Sequence, residues 1–240
     1  MRIALIGYGK MGQLIEEIAL EKGHSISIRI TSKNTEDFTA ENLADTDVAI
    51  EFTTPHAAYD NVKKCLDFGL PVVCGSTGWN AQLQEMRAYC QSKGGAFLHA
   101  SNFSIGVNIF FEVNSLLAQL MAKQPSYDVL VKEIHHTHKK DAPSGTAVTI
   151  AEQILQHIIR KQSWVNTPAA AANELPIISE RIDPAPGTHH VKYTSEIDDI
   201  EIIHTAHSRK GFASGAVLAA EFLKGKTGVF TMKDVLQSQM

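Results

Sequence analysis

The chain has 240 residues, with 44% hydrophobic and 20% charged side chains. That is the composition of an ordinary globular protein, long enough for one large domain or two modest ones. A formal net charge of −4 lacks the basic footprint that broad nucleic-acid binding requires, and no apolar run reaches membrane-spanning length.

Residues 2–6 form a short apolar run ending in Gly7-Tyr8-Gly9-Lys10-Met11-Gly12. Residues 13–22 place Leu14, Ile15, Ile18 and Ala19 on one helical face, Gly23 is a natural stop, and 24–30 alternate like a strand. The alternation continues with a strand at 47–52, a helix at 55–68, a strand at 71–74, a helix at 80–92 and a strand at 96–99. Strands alternating with helices predict a doubly wound parallel sheet of Rossmann type.

After Asn102 the rhythm changes. A long amphipathic helix is expected over 106–123, a strand at 128–134 and a helix at 146–160. Strand-like runs at 175–182, 189–195 and 200–205 predict an α+β region with an open mixed or antiparallel sheet, and the alanine-rich 167–173 reads as a loop. A helix rich in small residues follows at 212–224, and 228–236 is expected to pack back on the first domain. The expected division is a dinucleotide-binding domain at 1–104, joined by 212–240, and a substrate-binding and oligomerisation domain at 105–211.

The glycine motif sits between the first strand and a helix, the context in which glycines let a pyrophosphate approach a helix N-terminus; the alternative is a plain turn. About 20 residues on, an acidic residue normally binds the ribose 2′-hydroxyl. Here Thr31-Ser32-Lys33 stand instead, which favours the 2′-phosphate of NADPH, although Lys33 also reads as a solvated loop lysine. Phe52-Thr53-Thr54-Pro55, Gly75-Ser76-Thr77-Gly78 and Ala100-Ser101-Asn102-Phe103 each follow a strand, at the carboxyl edge where ligands bind in such sheets.

The most informative stretch runs from Glu133 through His135-His136-Thr137-His138-Lys139-Lys140-Asp141 to Ala142-Pro143-Ser144-Gly145-Thr146-Ala147. Proton-transfer groups and fixed positive charge lie beside a helix start with unsatisfied N–H donors, chemistry suited to gripping an anionic substrate and protonating it. Histidines at i, i+1 and i+3 without an acidic or cysteine partner at zinc spacing argue against a metal. Cys65, Cys74 and Cys90 lack CxxC spacing and are expected to be buried, reduced thiols in a cytoplasm.

Together these motifs, with Ser104-Ile105-Gly106-Val107-Asn108, 208–217 and 228–236, resemble the dihydrodipicolinate reductase family, most specifically in His-His-x-His-Lys-x-Asp-Ala-Pro-Ser-Gly-Thr-Ala. The resemblance implies NAD(P)H-dependent reduction of 4-hydroxy-tetrahydrodipicolinate, a cyclic amino dicarboxylate, with loss of water, in diaminopimelate and lysine synthesis. It implies a homotetramer built through the open sheet. His135 and Lys139 match the family's acid/base and proton donor, and His136, Lys139, Gly145 and Thr146 match positions that bind the dicarboxylate. Gly7, Tyr8, Gly9, Lys10, Met11, Gly12, Lys33, Gly75, Ser76, Thr77, Ala100, Ser101, Asn102 and Phe103 match cofactor contacts. Two departures stand out: the acidic residue after the second strand is missing, and 180–195 is shortened relative to longer members. The rivals are a Rossmann reductase of a semialdehyde or another imine, and a nucleotide sensor without turnover.

Overall fold

The computed structural model describes residues 1–168 and 171–239. The chain divides into two compact units, Met1–Ile105 with Lys210–Met240, and Gly106–Arg209.

The first unit opens with β1 (Arg2–Ile6), buried from its second residue onward, as in a parallel strand covered on both faces. Then come α1 (Lys10–Glu21), β2 (Ser25–Ile30), β3 (Val48–Glu51), α2 (Pro55–Asp67), β4 (Val72–Cys74), α3 (Leu83–Ser92) and β5 (Ala96–His99). α1 begins three residues before the expected start. Gly9 is its extended N-cap, and Gln13 N already donates to Gly9 O at 3.0 Å. A Cβ on Gly12 would lie 2.3 Å from the Gly7 carbonyl oxygen, so this glycine serves the close packing of the helix start. That contact is invisible to helix propensity, which counts Gly12 as a breaker.

The second unit holds α4 (Ile105–Met121), β6 (Asp128–His135), α5 (Gly145–His157), β7 (Ser163–Val165), β8 (Glu174–Arg181), β9 (Gly187–Thr194) and β10 (Asp199–Ala206). Its sheet is mixed, in the order β10-β9-β6-β8-β7. β9 is antiparallel to both β10 and β6, whereas β8 is parallel to β6 and β7. One face carries Val129, Val131, Leu175, Ile177, Val191 and Tyr193 into a core with Ile150, Ala151 and Ile154 of α5. Each such aliphatic side chain contributes roughly 1.5–3 kcal/mol by burial. Buried Asn114 of α4 donates to Ile150 O and Gln153 Oε1 and so ties the two helices together. α5 stops at His157, short of the expected 160, because Ile158 turns out of helical geometry while staying fully buried. β7 was not expected, since three residues carry no readable period. Of the expected loop at 167–173, residues 169 and 170 lie outside the described residues.

The chain closes with α6 (Lys210–Leu223), β11 (Gly228–Phe230) and α7 (Met232–Gln237), which belong to the first unit. β11 pairs in parallel with β5, completing a sheet in the order β11-β5-β4-β3-β1-β2. α1, α6 and α7 feed the apolar cluster that holds Ile15, Val217 and Val235, and α2 and α3 feed a second with Val62, Leu66 and Met86. The order reverses between β1 and β3, which puts a crevice at their carboxyl ends. No helix among the described residues is long and apolar enough to cross a membrane.

Candidate active site

The crevice of the first unit is a cavity of about 500 Å³ lined by Gly7, Tyr8, Gly9, Thr31, Ser32, Thr35, Phe52, Thr53, Thr54 and Asn61, among others. Gly7 has φ +98°, and a Cβ there would lie 2.1 Å from Phe52 O, so only glycine lets the turn pass that strand end. Gly9, by contrast, faces open space, room that a pyrophosphate needs. Lys10, Met11 and Gly12 form the first turn of α1, whose N–H groups have no acceptor within the helix and carry partial positive charge.

At the end of β2, the Thr31 N–H and hydroxyl both donate to Asn34 Oδ1, and the Lys33 N–H donates to Thr31 Oγ1. This turn leaves Ser32 in the cavity wall and Lys33 exposed beside it, outside that wall. Arg29 is already committed: its guanidinium binds both oxygens of Glu16 and lies over the Tyr8 ring, 5.6 Å from its centroid. Tyr8 OH donates to the same carboxylate. The Arg29 guanidinium holds the Glu16 carboxyl below its ordinary pKa.

The other strand ends differ from one another. Ser76 is buried and Thr77 exposed, and Gly75 exists in the space of the Phe52 ring, which a Cβ would meet at 2.1 Å. Phe103 is buried in the core against the rings and helices of the first unit, while Ala100, Ser101 and Asn102 are at least partly exposed. Asn102 Oδ1 accepts the Ser104 N–H. None of these lines the cavity described above.

In the second unit, β6 alternates in burial, so Glu133 and His135 point to the same inner face. Glu133 is fully buried and its carboxylate is a hub. Oε1 accepts Ser144 N at 3.0 Å and Arg181 Nη2 at 3.1 Å, and Oε2 stands 3.2 Å from His135 Nδ1. Burial favours the neutral acid, yet His135, Ser144 and Ser179 outweigh it and hold the Glu133 carboxyl well below its ordinary pKa. His189 of β9 packs its ring edge-on to His135, 5.2 Å between centroids. Burial, and secondly the neighbouring His135, push the His189 pKa down to about 3, so it is neutral at ordinary pH. Gly187 passes His135 so closely that a Cβ would sit 3.0 Å from Nε2.

Arg181 also donates to the carbonyls of Lys139 and Asp141, which pins the intervening loop onto Glu133. Lys139 Nζ is paired with Asp141 at 2.8 and 2.9 Å, and the partly exposed His136 ring stands 6.2 Å from that of His138. Ser144 caps α5: its Oγ accepts the Ala147 N–H and contacts His189 Nε2 at 3.3 Å. Gly145, the first helical residue, is exposed, with open space where a side chain would stand.

Ligand atoms of Glu133, His135 and His189 lie within 4.8 Å of one another. The Arg181 guanidinium on the same carboxylate sets fixed positive charge against any cation there, which disfavours a metal. Sequence reasoning did not single out Glu133, Arg181 or His189 as parts of this cluster; the last two come from β8 and β9. All three cysteines are buried and free, and burial raises their thiol pKa values, the reverse of an activated nucleophile. The semialdehyde rival loses its catalytic thiol.

Family models match both units: "Dihydrodipicolinate reductase, N-terminus" over residues 1–103 and "Dihydrodipicolinate reductase, C-terminus" over 106–236. The chain is 49% identical over 238 residues to a 4-hydroxy-tetrahydrodipicolinate reductase of Christiangramia forsetii, covering 98% of each chain. It is 34% identical over 229 residues to the enzyme of that name from Neisseria gonorrhoeae, covering 92% of this chain and 83% of the other. Among solved structures, dipicolinate-bound dihydrodipicolinate reductase from Paenisporosarcina sp. TG-14 superposes with a TM-score of 0.79 at 24% identity, over 96% of this chain and 97% of that one.

Proposed function

The chain belongs to the dihydrodipicolinate reductase family, and from that premise we propose how its residues divide the reaction. The activity is the NAD(P)H-dependent reduction of 4-hydroxy-tetrahydrodipicolinate to tetrahydrodipicolinate, with loss of water, in diaminopimelate and lysine synthesis. When bound, the nicotinamide supplies the hydride. The rest of the balance is one proton taken up and the 4-hydroxyl lost as water.

The N–H groups of Gly145 and Thr146, at the positive end of α5, donate to one substrate carboxylate. Lys139 supplies positive charge that holds the dicarboxylate, and His136 binds it beside Lys139. The Lys139–Asp141 pair is partly exposed and therefore weak, so a substrate carboxylate displaces Asp141, and the ammonium then both pairs and donates the proton. His135, held against Glu133, is the second acid/base group. The observation that carries this reading is the Glu133 hub, which fixes His135, Ser144 and the loop through Arg181 as one body. Preorganised charge and orientation then do most of the catalysis.

The cofactor lies in the crevice with its pyrophosphate against Gly7, Tyr8, Gly9 and the first turn of α1, formed by Lys10, Met11 and Gly12. NADPH is preferred over NADH. Ser32 and Lys33 stand where an acidic ribose ligand is usual, and Glu16 already neutralises Arg29. Gly75, Ser76 and Thr77, with Ala100, Ser101, Asn102 and Phe103, shape the nicotinamide end. The enzyme works in the cytoplasm as a homotetramer, assembled through the open face of the mixed sheet, where Ile203 is 58% exposed. The deciding assay follows NADPH and NADH oxidation with freshly generated 4-hydroxy-tetrahydrodipicolinate. No oxidation of either would overturn the reading, and faster turnover with NADH at limiting cofactor would overturn the preference.

A further inference from the structure

Two aromatic residues in the first unit have no part in the mechanism above. Trp79 is buried, and its indole N–H, which can only donate, reaches back to the Ser76 carbonyl at 2.8 Å. His99, the last residue of β5, places Nε2 at 3.2 Å from the same oxygen. A carbonyl only accepts, so this nitrogen carries a proton and donates, whether the ring is neutral or charged. The two rings meet edge to face, with centroids 5.6 Å apart and planes at 89°. Both lone pairs of one carbonyl are thereby filled by ring N–H groups, an arrangement that apolar packing alone does not require. The Ser76 side chain is engaged inward as well: Oγ accepts the Thr53 N–H at 2.8 Å and lies 3.1 Å from Glu51 Oε1.

We infer that Trp79 and His99 are positioning residues for hydride transfer, acting through the segment Gly75-Ser76-Thr77. Cys74 at the end of β4 pairs with His99 at the end of β5, so the doubly bonded carbonyl ties two neighbouring strand ends together. The indole bond closes the turn 76–79, and Thr77 is left exposed at its tip. With both Ser76 oxygens engaged inside, the two rings set where that tip stands. β4 and β5 lie across the switch point from β1 and β2, on the side of the sheet that takes the nicotinamide half of a dinucleotide. A shifted tip therefore displaces the nicotinamide C4 from its transfer position and slows the chemical step, while the adenosine end is untouched. In the sequence Trp79 reads as an ordinary core aromatic, because its bond to Ser76 exists only once the turn has formed.

This inference rests on the reading that residues 75–77 shape the nicotinamide end of an NADPH site, and the test separates the two. A wild-type chain that oxidises no NADPH would sink the reading itself. Calorimetry with 2′,5′-ADP, which lacks the nicotinamide riboside, gives the affinity and number of adenosine sites. Turnover is then counted per such site, so a partly unfolded sample cannot mimic the effect. Trp79→Phe keeps an aromatic ring without the N–H, and His99→Leu removes the second donor. Each should lower turnover roughly tenfold, with 2′,5′-ADP affinity within about twofold of wild type. With NADPH deuterated at the transferred position, both should show a primary isotope effect at least as large as that of wild type. His99→Gln, which restores an N–H donor, should recover most of the turnover. A matching loss of 2′,5′-ADP affinity in Trp79→Phe would mean a purely structural role and overturn the proposal. So would wild-type turnover per site in His99→Leu, a result readable even if Trp79→Phe fails to fold.

Discussion

Glu133 and Ser144 are joined by a buried bond, the carboxylate of a strand end accepting the backbone N–H of a helix N-cap at 3.0 Å. The same carboxylate faces His135 at 3.2 Å, so proton chemistry and anion binding share one support. Glu133→Gln replaces an acceptor with a donor at this junction, where the neighbours are N–H and O–H donors or ring nitrogens. Turnover should fall by roughly 10²–10⁴, the span for losing or misorienting a general acid or base. NADPH affinity, a property of the other unit, should stay within about twofold of wild type. Wild-type turnover in this variant would remove Glu133 from the catalytic support.

The βα alternation was readable because apolar runs, glycine stops and helical spacing are local signals, and the parallel sheet with its returning C-terminal strand follows from them. The acid–base cluster was readable only along one segment. Arg181 reaches Glu133 from 48 positions away and His189 reaches Ser144 from 45, through pairing of β6 with β8 and β9 that no local pattern specifies. Lys10 to Gly12 were misplaced for a related reason: the helix start depends on the contact between Gly12 and Gly7 O. Lys33, read from the residues around it, stands exposed beside the cavity wall.

That exposure shapes the cofactor prediction. An exposed lysine outside the wall can still reach a 2′-phosphate, but not a bare ribose hydroxyl with equal benefit. Lys33→Ala should weaken NADPH by about 1.5–3 kcal/mol, the worth of a bond to a charged group, and leave NADH nearly unchanged. Fluorescence titration with both cofactors decides it. Equal losses for the two would rule out Lys33 as the phosphate reader and leave Ser32.

Acid should destabilise the fold through His189 before it does so through the carboxylates. In the folded chain its pKa is pushed down to about 3, whereas the unfolded side chain titrates near 6.5. Between those values the unfolded state binds a proton that the folded state refuses, so stability falls as pH falls. The slope reaches up to ~1.4 kcal/mol per pH unit. Glu133, whose pKa is lowered by folding, contributes stability above its ordinary pKa of 4.5 that is lost on further acidification. Urea unfolding at pH 7.5, 6.5 and 5.5 should show this slope in wild type and a shallower one in His189→Asn. Identical slopes would show that His189 is not the group responsible.

The proton itself has two possible sources, and their surroundings distinguish them. Lys139 is partly exposed and paired with Asp141, ready to exchange that partner for a substrate carboxylate. His135 is nearly buried between Glu133, His189 and Gly187, which suits a group held in one orientation. Lys139→Ala and His135→Ala should each lower turnover by about 10²–10⁴, with NADPH binding nearly unchanged. If Lys139→Ala raises only the Michaelis constant, the ammonium binds ground and transition states alike and does not deliver the proton. The pH–rate profile then assigns the titrating group. A limb that vanishes in His135→Ala but persists in Lys139→Ala names the imidazole, and the opposite pattern names the ammonium. Glu133→Gln adds the last constraint: because Glu133 faces His135 and not Lys139, it should move a limb that belongs to His135 and leave one that belongs to Lys139 in place.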